Sequence, residues 1–150
     1  MIEGIRSAEG IKAAVIASRW NEYVVNMLVE GAKRAFRMAG GTVPEIIWVP
    51  GTWEIPIAAR SAALADYDVI VCVGCILEGA TIHAQQLSNS VAAALSELAL
   101  STGKPITWGI LTCSTQDEAI ERAGMKLGNK GEEAANAAIE MASVVRQVGP

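Results

Sequence analysis

Aromatic side chains are scarce in this chain, at 5% of 150 residues, with a single Phe, and histidine occurs once. Positive charge is not in excess either: the net charge is -4 and the positives are scattered, with a pI near 5.0. That argues against nucleic acid or a polyanionic surface as the main partner. No apolar run is long enough to span a bilayer, the longest lying around residues 69 to 77. The opening MIEGIRSAEG lacks a basic start followed by an apolar run, so no signal peptide is expected and the cytoplasm is the default location. The cysteines are three, an odd number. Cys72 and Cys75 imitate a redox or zinc spacing, but residues three apart on a strand face opposite ways. There is no second Cys-x-x-Cys pair, and one histidine cannot complete the usual zinc site. Cys72, Cys75 and Cys113 therefore read as buried, inert thiols and no metal is expected; Cys75, just past a strand end, is the open case.

Two nucleotide signatures are missing as well. Gly74 and Gly79 have the outline of a phosphate loop, but Ala80 stands where such a loop needs Lys, which excludes an ATPase. Ser18-Arg19-Trp20-Asn21 follows the first strand where a Gly-x-Gly-x-x-Gly fingerprint would bind a dinucleotide. What is abundant is aliphatic: hydrophobic residues make up 51% of the chain and mean hydropathy is +0.32. With no membrane segment to absorb it, that surplus is expected in subunit contacts, which predicts a homo-oligomer.

The length fits one domain, residues 1-150, with a core that needs neither disulfides nor metal. Lys12 to Ser18 reads as a buried strand, and Asn21 as the cap of a helix with Val24, Leu28, Ala32, Ala35, Phe36 and Ala39 on one face. Gly40-Gly41 ends that helix. Val43 to Val49 is a second strand, followed by a helix from near Glu54 with Pro56 in its first turn. Asp68 to Val73 is the third strand, and Ala84 to Ser101 a helix stopped by Gly103. Pro105 to Leu111 is the fourth strand. Thr115 to Glu118 has capping-box spacing for a short helix. Gly124 to Gly131 is a glycine-punctuated joint before a last helix from Glu132 to about Val145. Four apolar strands alternating with helices predict an α/β fold: a three-layer α/β/α sandwich on a four-stranded parallel sheet, flavodoxin-like.

Such sheets bind ligands outside the carboxyl ends of their strands. Those ends carry Ser18-Arg19-Trp20, Pro50-Gly51-Thr52-Trp53-Glu54, Gly74 to His83, and Leu111-Thr112. A glycine-rich turn opening onto a helix presents backbone N–H groups to an anion. The sole histidine beside it suggests proton transfer close to a bound phosphate or carboxylate. Trp20 and Trp53 suit either core packing or stacking on a planar heterocycle. Glu54 suits either a helix N-terminus or a polyol or amide. Arg122, Lys126 and Lys130 are candidate phosphate groups, against a plain solvated loop.

With these residues assembled, the chain resembles the lumazine synthases from about Lys12 to Met141. The resemblance is carried by Ser18-Arg19-Trp20-Asn21-Glu22, Val49-Pro50-Gly51-Thr52-Trp53-Glu54-Ile55-Pro56, Gly79-Ala80-Thr81-Ile82-His83, Gly109-Ile110-Leu111-Thr112, and above all the run Glu118 to Gly131. It implies condensation of 5-amino-6-(D-ribitylamino)uracil with 3,4-dihydroxy-2-butanone 4-phosphate to 6,7-dimethyl-8-ribityllumazine, a step of riboflavin biosynthesis, with no metal or redox cofactor. By motif, Trp20 would stack on the pyrimidine, where the family often has Phe. Thr52, Trp53 and Glu54 would hold the ribityl chain and ring edge, and Ile76 and Leu77 would line the pocket. Gly79, Ala80 and Thr81 would bind phosphate with Arg122, and His83 would shuttle protons. Trp108 and Lys130 would close the site from the adjoining subunit of a homopentamer. The resemblance further implies a 60-subunit shell as a candidate assembly and riboflavin synthase as a candidate partner. Glu78 departs from the family's usual Arg or Lys, and Ala84 and Gln85 from its usual Phe and acid. The alternative is an assembly module of the same fold kept for its pentamer or shell and catalytically weak or inactive.

Overall fold

The computed structural model describes residues 1–79 and 82–150; Ala80 and Thr81, both expected at the phosphate, lie outside the described residues. The central sheet is parallel, in the order β2-β1-β3-β4, formed by β1 (Ala13–Ser18), β2 (Glu45–Val49), β3 (Val69–Leu77) and β4 (Ile106–Cys113). β1 pairs Ser18 with Val49 of β2 and Ala17 with Val73 of β3. All six residues of β1 are buried, as a strand covered on both faces requires.

One face carries α1 (Glu22–Met38) and α5 (Lys130–Val148), whose Leu28, Phe36, Ala135 and Ile139 pack on Val15, Val71 and Val73. The other carries α2 (Ile55–Leu64) and α3 (His83–Thr102), with Ile55, Val91 and Leu95 against Ile16, Ile70 and Cys72. Each fully buried Leu, Ile or Phe contributes about 1.5–3 kcal/mol. The predicted three-layer α/β sandwich is thus the observed one.

Three local readings are corrected. β3 does not stop at Val73 but runs through Gly74, Cys75 and Ile76 to Leu77, paired all the way with β4 up to Leu77↔Cys113. Asn21 occupies the position before α1 with φ 62, but its side chain makes no capping hydrogen bond to the helix. The joint from Gly124 to Gly131 is a small antiparallel hairpin, β5 (Ala123–Met125) and β6 (Gly128–Asn129), and α5 begins at once at Lys130. Between β4 and the hairpin lies α4 (Gln116–Glu121). Thr115 caps it, accepting from the Glu118 N–H at 3.2 Å, while the Glu118 carboxylate turns back to the Ser114 N–H at 3.1 Å.

Candidate active site

The carboxyl ends of β1, β2 and β3 open into a cavity of about 580 Å³. Trp20 and Asn21 enter it after β1, and Gly51 to Glu54 after β2, in a single 3-10 turn (Thr52–Glu54). Cys75, Ile76 and Leu77 come from the last residues of β3, followed by Gly79. His83, Ala84 and Leu87 close it from the first turns of α3. Trp20 and Trp53 are 72% and 66% exposed. Core packing therefore does not account for either indole; both stand open at the mouth of the cavity, as a stacking platform must.

Asn21 explains its own backbone. Asn tolerates the left-handed region better than most residues, and from there its Nδ2 donates to the Cys75 carbonyl at 2.8 Å. The first turn of α1 is thereby tied to the end of β3, on the cavity wall. α3 starts at His83 with no side-chain cap from Ile82. Such a helix start favours an anion. The Gln85 amide does not serve His83: its Nε2 donates to Asn89 Oδ1, one turn along, at 3.4 Å.

A second cavity, of about 490 Å³, lies beyond the end of β4 and is lined by Arg122, Lys130, Glu133 and Leu127 with residues Ile110 to Cys113. Backbone bonds fix the Arg122 guanidinium and the main chain at Lys130. Arg122 Nη1 donates to the Glu118 carbonyl at 3.1 Å, and the Lys130 N–H donates to the Arg122 carbonyl at 2.9 Å. Glu78 is exposed and donates its N–H to the Cys113 carbonyl at 2.8 Å. Burial first, then the Glu118 and Glu78 carboxylates, push the Cys113 thiol up, and the Arg122 guanidinium opposes them. Glu78 thus adds negative charge on the side of Arg122. Trp108 sits in a third hollow, of about 320 Å³, along the outer edge of β4 with Leu95 and Leu100.

Of the residues predicted for the site, the fold brings together Trp20, Thr52, Trp53, Glu54, Ile76, Leu77, Gly79 and His83. Arg122 and Lys130 share a separate cavity, and Trp108 faces another surface. The sequence reading missed Asn21, Ala84 and Leu87 as wall residues. Leu87 had a signal, since it follows His83 by one helical turn. The cysteines are all free and buried. Burial pushes Cys72 far up, and burial together with neighbouring Cys113 pushes Cys75 up to about 11, which leaves them as inert thiols.

Residues 10–146 match the sequence pattern of the family described as 6,7-dimethyl-8-ribityllumazine synthase. The chain is also similar to the 6,7-dimethyl-8-ribityllumazine synthase of Aquifex aeolicus (strain VF5), with 44% identity over 149 residues that cover 97% of each chain. With a match over most of its length and relatedness at that level, this chain belongs to the 6,7-dimethyl-8-ribityllumazine synthase family.

Proposed function

We propose that this chain, acting as one domain, is an enzyme of riboflavin biosynthesis. It condenses 5-amino-6-(D-ribitylamino)uracil with 3,4-dihydroxy-2-butanone 4-phosphate to 6,7-dimethyl-8-ribityllumazine, phosphate and water. The observation that carries the reading is the 580 Å³ cavity in which His83 meets two exposed indoles and Glu54. Such a site suits a flat, polyhydroxylated heterocycle. Trp20 stacks on the pyrimidine, while Thr52 and Glu54 hydrogen-bond the ribityl chain and ring edge. His83 moves protons while the amine adds to the ketone, water leaves to form the imine, phosphate departs, and closure of the ring by the ribitylamino nitrogen on the remaining carbonyl releases a second water. Most of the acceleration comes from holding two reactive partners together, with modest acid–base help.

The phosphate falls to the start of α3, with Arg122, Lys130 and Trp108, which line other cavities of the chain, supplied by a neighbouring protomer. The distribution of these groups over three surfaces of one chain supports a site assembled between subunits. A homopentamer in the cytoplasm follows from that reading, with the 60-subunit shell and riboflavin synthase as its further candidates. No described helix is long and apolar enough to cross a membrane. The catalytically inert assembly module gains nothing from a cavity this completely furnished.

The test is a turnover assay with both substrates, followed by lumazine absorbance and fluorescence against an enzyme-free blank. Product formed well above the blank is expected. A rate equal to the blank, from protein that remains assembled, would overturn the reading.

A further inference from the structure

Asn21 is the single non-glycine residue among the described residues with positive φ, at 62. Glycine would hold that backbone without strain, so a side chain kept there implies a use for it. The use is not a helix cap. The Asn21 side chain makes no capping bond, and the first turn of α1 is served by the Asn21 carbonyl, which accepts from the Val24 and Val25 N–H groups at 3.1 Å. The amide goes to β3 instead. β1 pairs with β3 only as far as Ala17↔Val73, and β3 runs on to Leu77 without it. In that stretch Asn21 Nδ2 donates to the Cys75 carbonyl at 2.8 Å. Trp20 therefore sits on a short link anchored on both sides. The Arg19 N–H donates to the Val49 carbonyl of β2 at 2.8 Å, and Asn21 grips β3. The indole between them lines the 580 Å³ cavity and is 72% exposed. Little packing holds it, so its direction depends on the backbone that carries it.

We propose that Asn21 is a positioning residue for Trp20: by holding the Cys75 carbonyl, it fixes the left-handed turn that aims the indole at the pyrimidine substrate. Stacking needs a ring face set roughly parallel to the substrate. An indole on a free link would have to be ordered at each binding event, and the two anchors meet that cost before the substrate arrives. Asn suits the position because it tolerates the left-handed region and still carries an N–H donor. Asp has the tolerance without the donor, and Gly has the backbone freedom without the amide. Because Asn21 acts only through the indole, it matters to the substrate that stacks and not to the phosphate-bearing one. This inference rests on the function proposed above and deepens it at the same site.

The test uses calorimetric binding of ribitylaminouracil alone to the assembled protein, so that it is read without turnover. Asn21→Gly keeps the turn and removes the amide. It is expected to weaken that binding about five- to tenfold, the scale of one lost hydrogen bond. In steady-state kinetics the loss falls on KM for ribitylaminouracil rather than on kcat. Asn21→Asp, which has no N–H to donate, is expected to reproduce it. Trp20→Ala weakens binding by removing the stack, and adding Asn21→Gly to it is expected to weaken binding no further, because the amide acts through the indole. Losses that multiply in the double variant would overturn the proposal. So would a lowered Tm with unchanged affinity in Asn21→Gly, which would make the amide a tie for the fold alone. Wild-type protein that binds ribitylaminouracil without turning over would refute the enzymatic reading and leave the Asn21 measurement decisive. Wild-type protein that does not bind it would refute both.

Discussion

His83 opens α3 on the wall that faces Trp20 and Trp53, where a proton donor or acceptor can reach a stacked ring. His83→Ala is expected to lower kcat by about 10²-fold with a smaller change in KM, as removal of a general acid–base does. Steady-state kinetics in both substrates would detect it, and an unaltered kcat would remove the shuttle role. Glu78 has the opposite relation to catalysis. Its carboxylate acts on the same Cys113 as the Arg122 guanidinium does, with the opposite sign, and so opposes the cation proposed here to bind phosphate. Glu78→Arg is expected to lower KM for the butanone phosphate about fivefold at low salt, since charges separated by solvent interact on a scale near 1 kcal/mol. The gain should shrink at high ionic strength; an equal gain in molar salt would point to a packing effect instead. The cysteines speak to alkaline pH. Cys75 has its thiol raised from an ordinary 9.0 to about 11. Its contribution to stability is present in full below pH about 9 and is lost as pH rises toward about 11, because the unfolded chain ionises first. Tm should fall over that window, and less steeply in Cys75→Ala.

At the level of elements, a tight joint forms where α1 meets the hairpin and α5. A Cβ at Gly131 would run into the Leu28 carbonyl, and one at Gly31 into the Asn129 side chain. Asn129 locks the joint twice, donating to the Met27 carbonyl at 3.0 Å and accepting from the Glu132 N–H at 3.0 Å. Gly131→Ala should cost about 1–3 kcal/mol or more, by forcing α5 away from α1. It should also slacken Lys130, which α5 carries in its first turn. Chemical denaturation and KM for the butanone phosphate would report the two effects; an unchanged midpoint would show that the helices can give way. The same region marks the limit of what the sequence disclosed. The strands and long helices were legible because their periodicity, and stops such as Gly103, act over many residues. The hairpin was not, since glycines at 124 and 128 with positive φ signal a break in structure and not its resumption. β3 was cut short for a related reason. Gly74 looks like a turn residue in isolation, yet it sits in the strand because Ser18 leaves no room for a side chain. Asn21 was credited with a cap when a distant carbonyl on β3 had claimed its amide. For β3 and Asn21 a long-range contact overrode the local propensity. The site was more legible than these details, since strand order alone sends Trp20, Thr52 and His83 to one rim.

For the whole molecule, a protomer leaves much apolar surface in the open. Ile57 is 70% exposed and Leu100 84%, besides the two cavity tryptophans. Water-exposed aliphatics in that number favour burial against further copies of the chain. One chain keeps the His83 cavity and the Lys130 cavity apart, and the proposed pentamer is the assembly expected to join them. In that proposed ring of like contacts, each site is expected to take one His83 from a chain and one Lys130 from the next. That connection can be read from activity alone. His83→Ala and Lys130→Ala protomers, each impaired when assembled by itself, are co-expressed in equal amounts so that they assemble together. If a site takes its histidine and its lysine from different chains, about a quarter of the sites in a random ring carry both intact. The mixed assembly should then recover about a quarter of wild-type turnover, well above the mean of its parents. If both groups serve a site from the same chain, every chain carries one defect and mixing rescues nothing. Sedimentation of the mixture on the same day separates that result from a failure to assemble. Recovery beyond the parental mean would tie turnover to the contact between protomers; its absence in intact rings would confine the chemistry to each chain by itself.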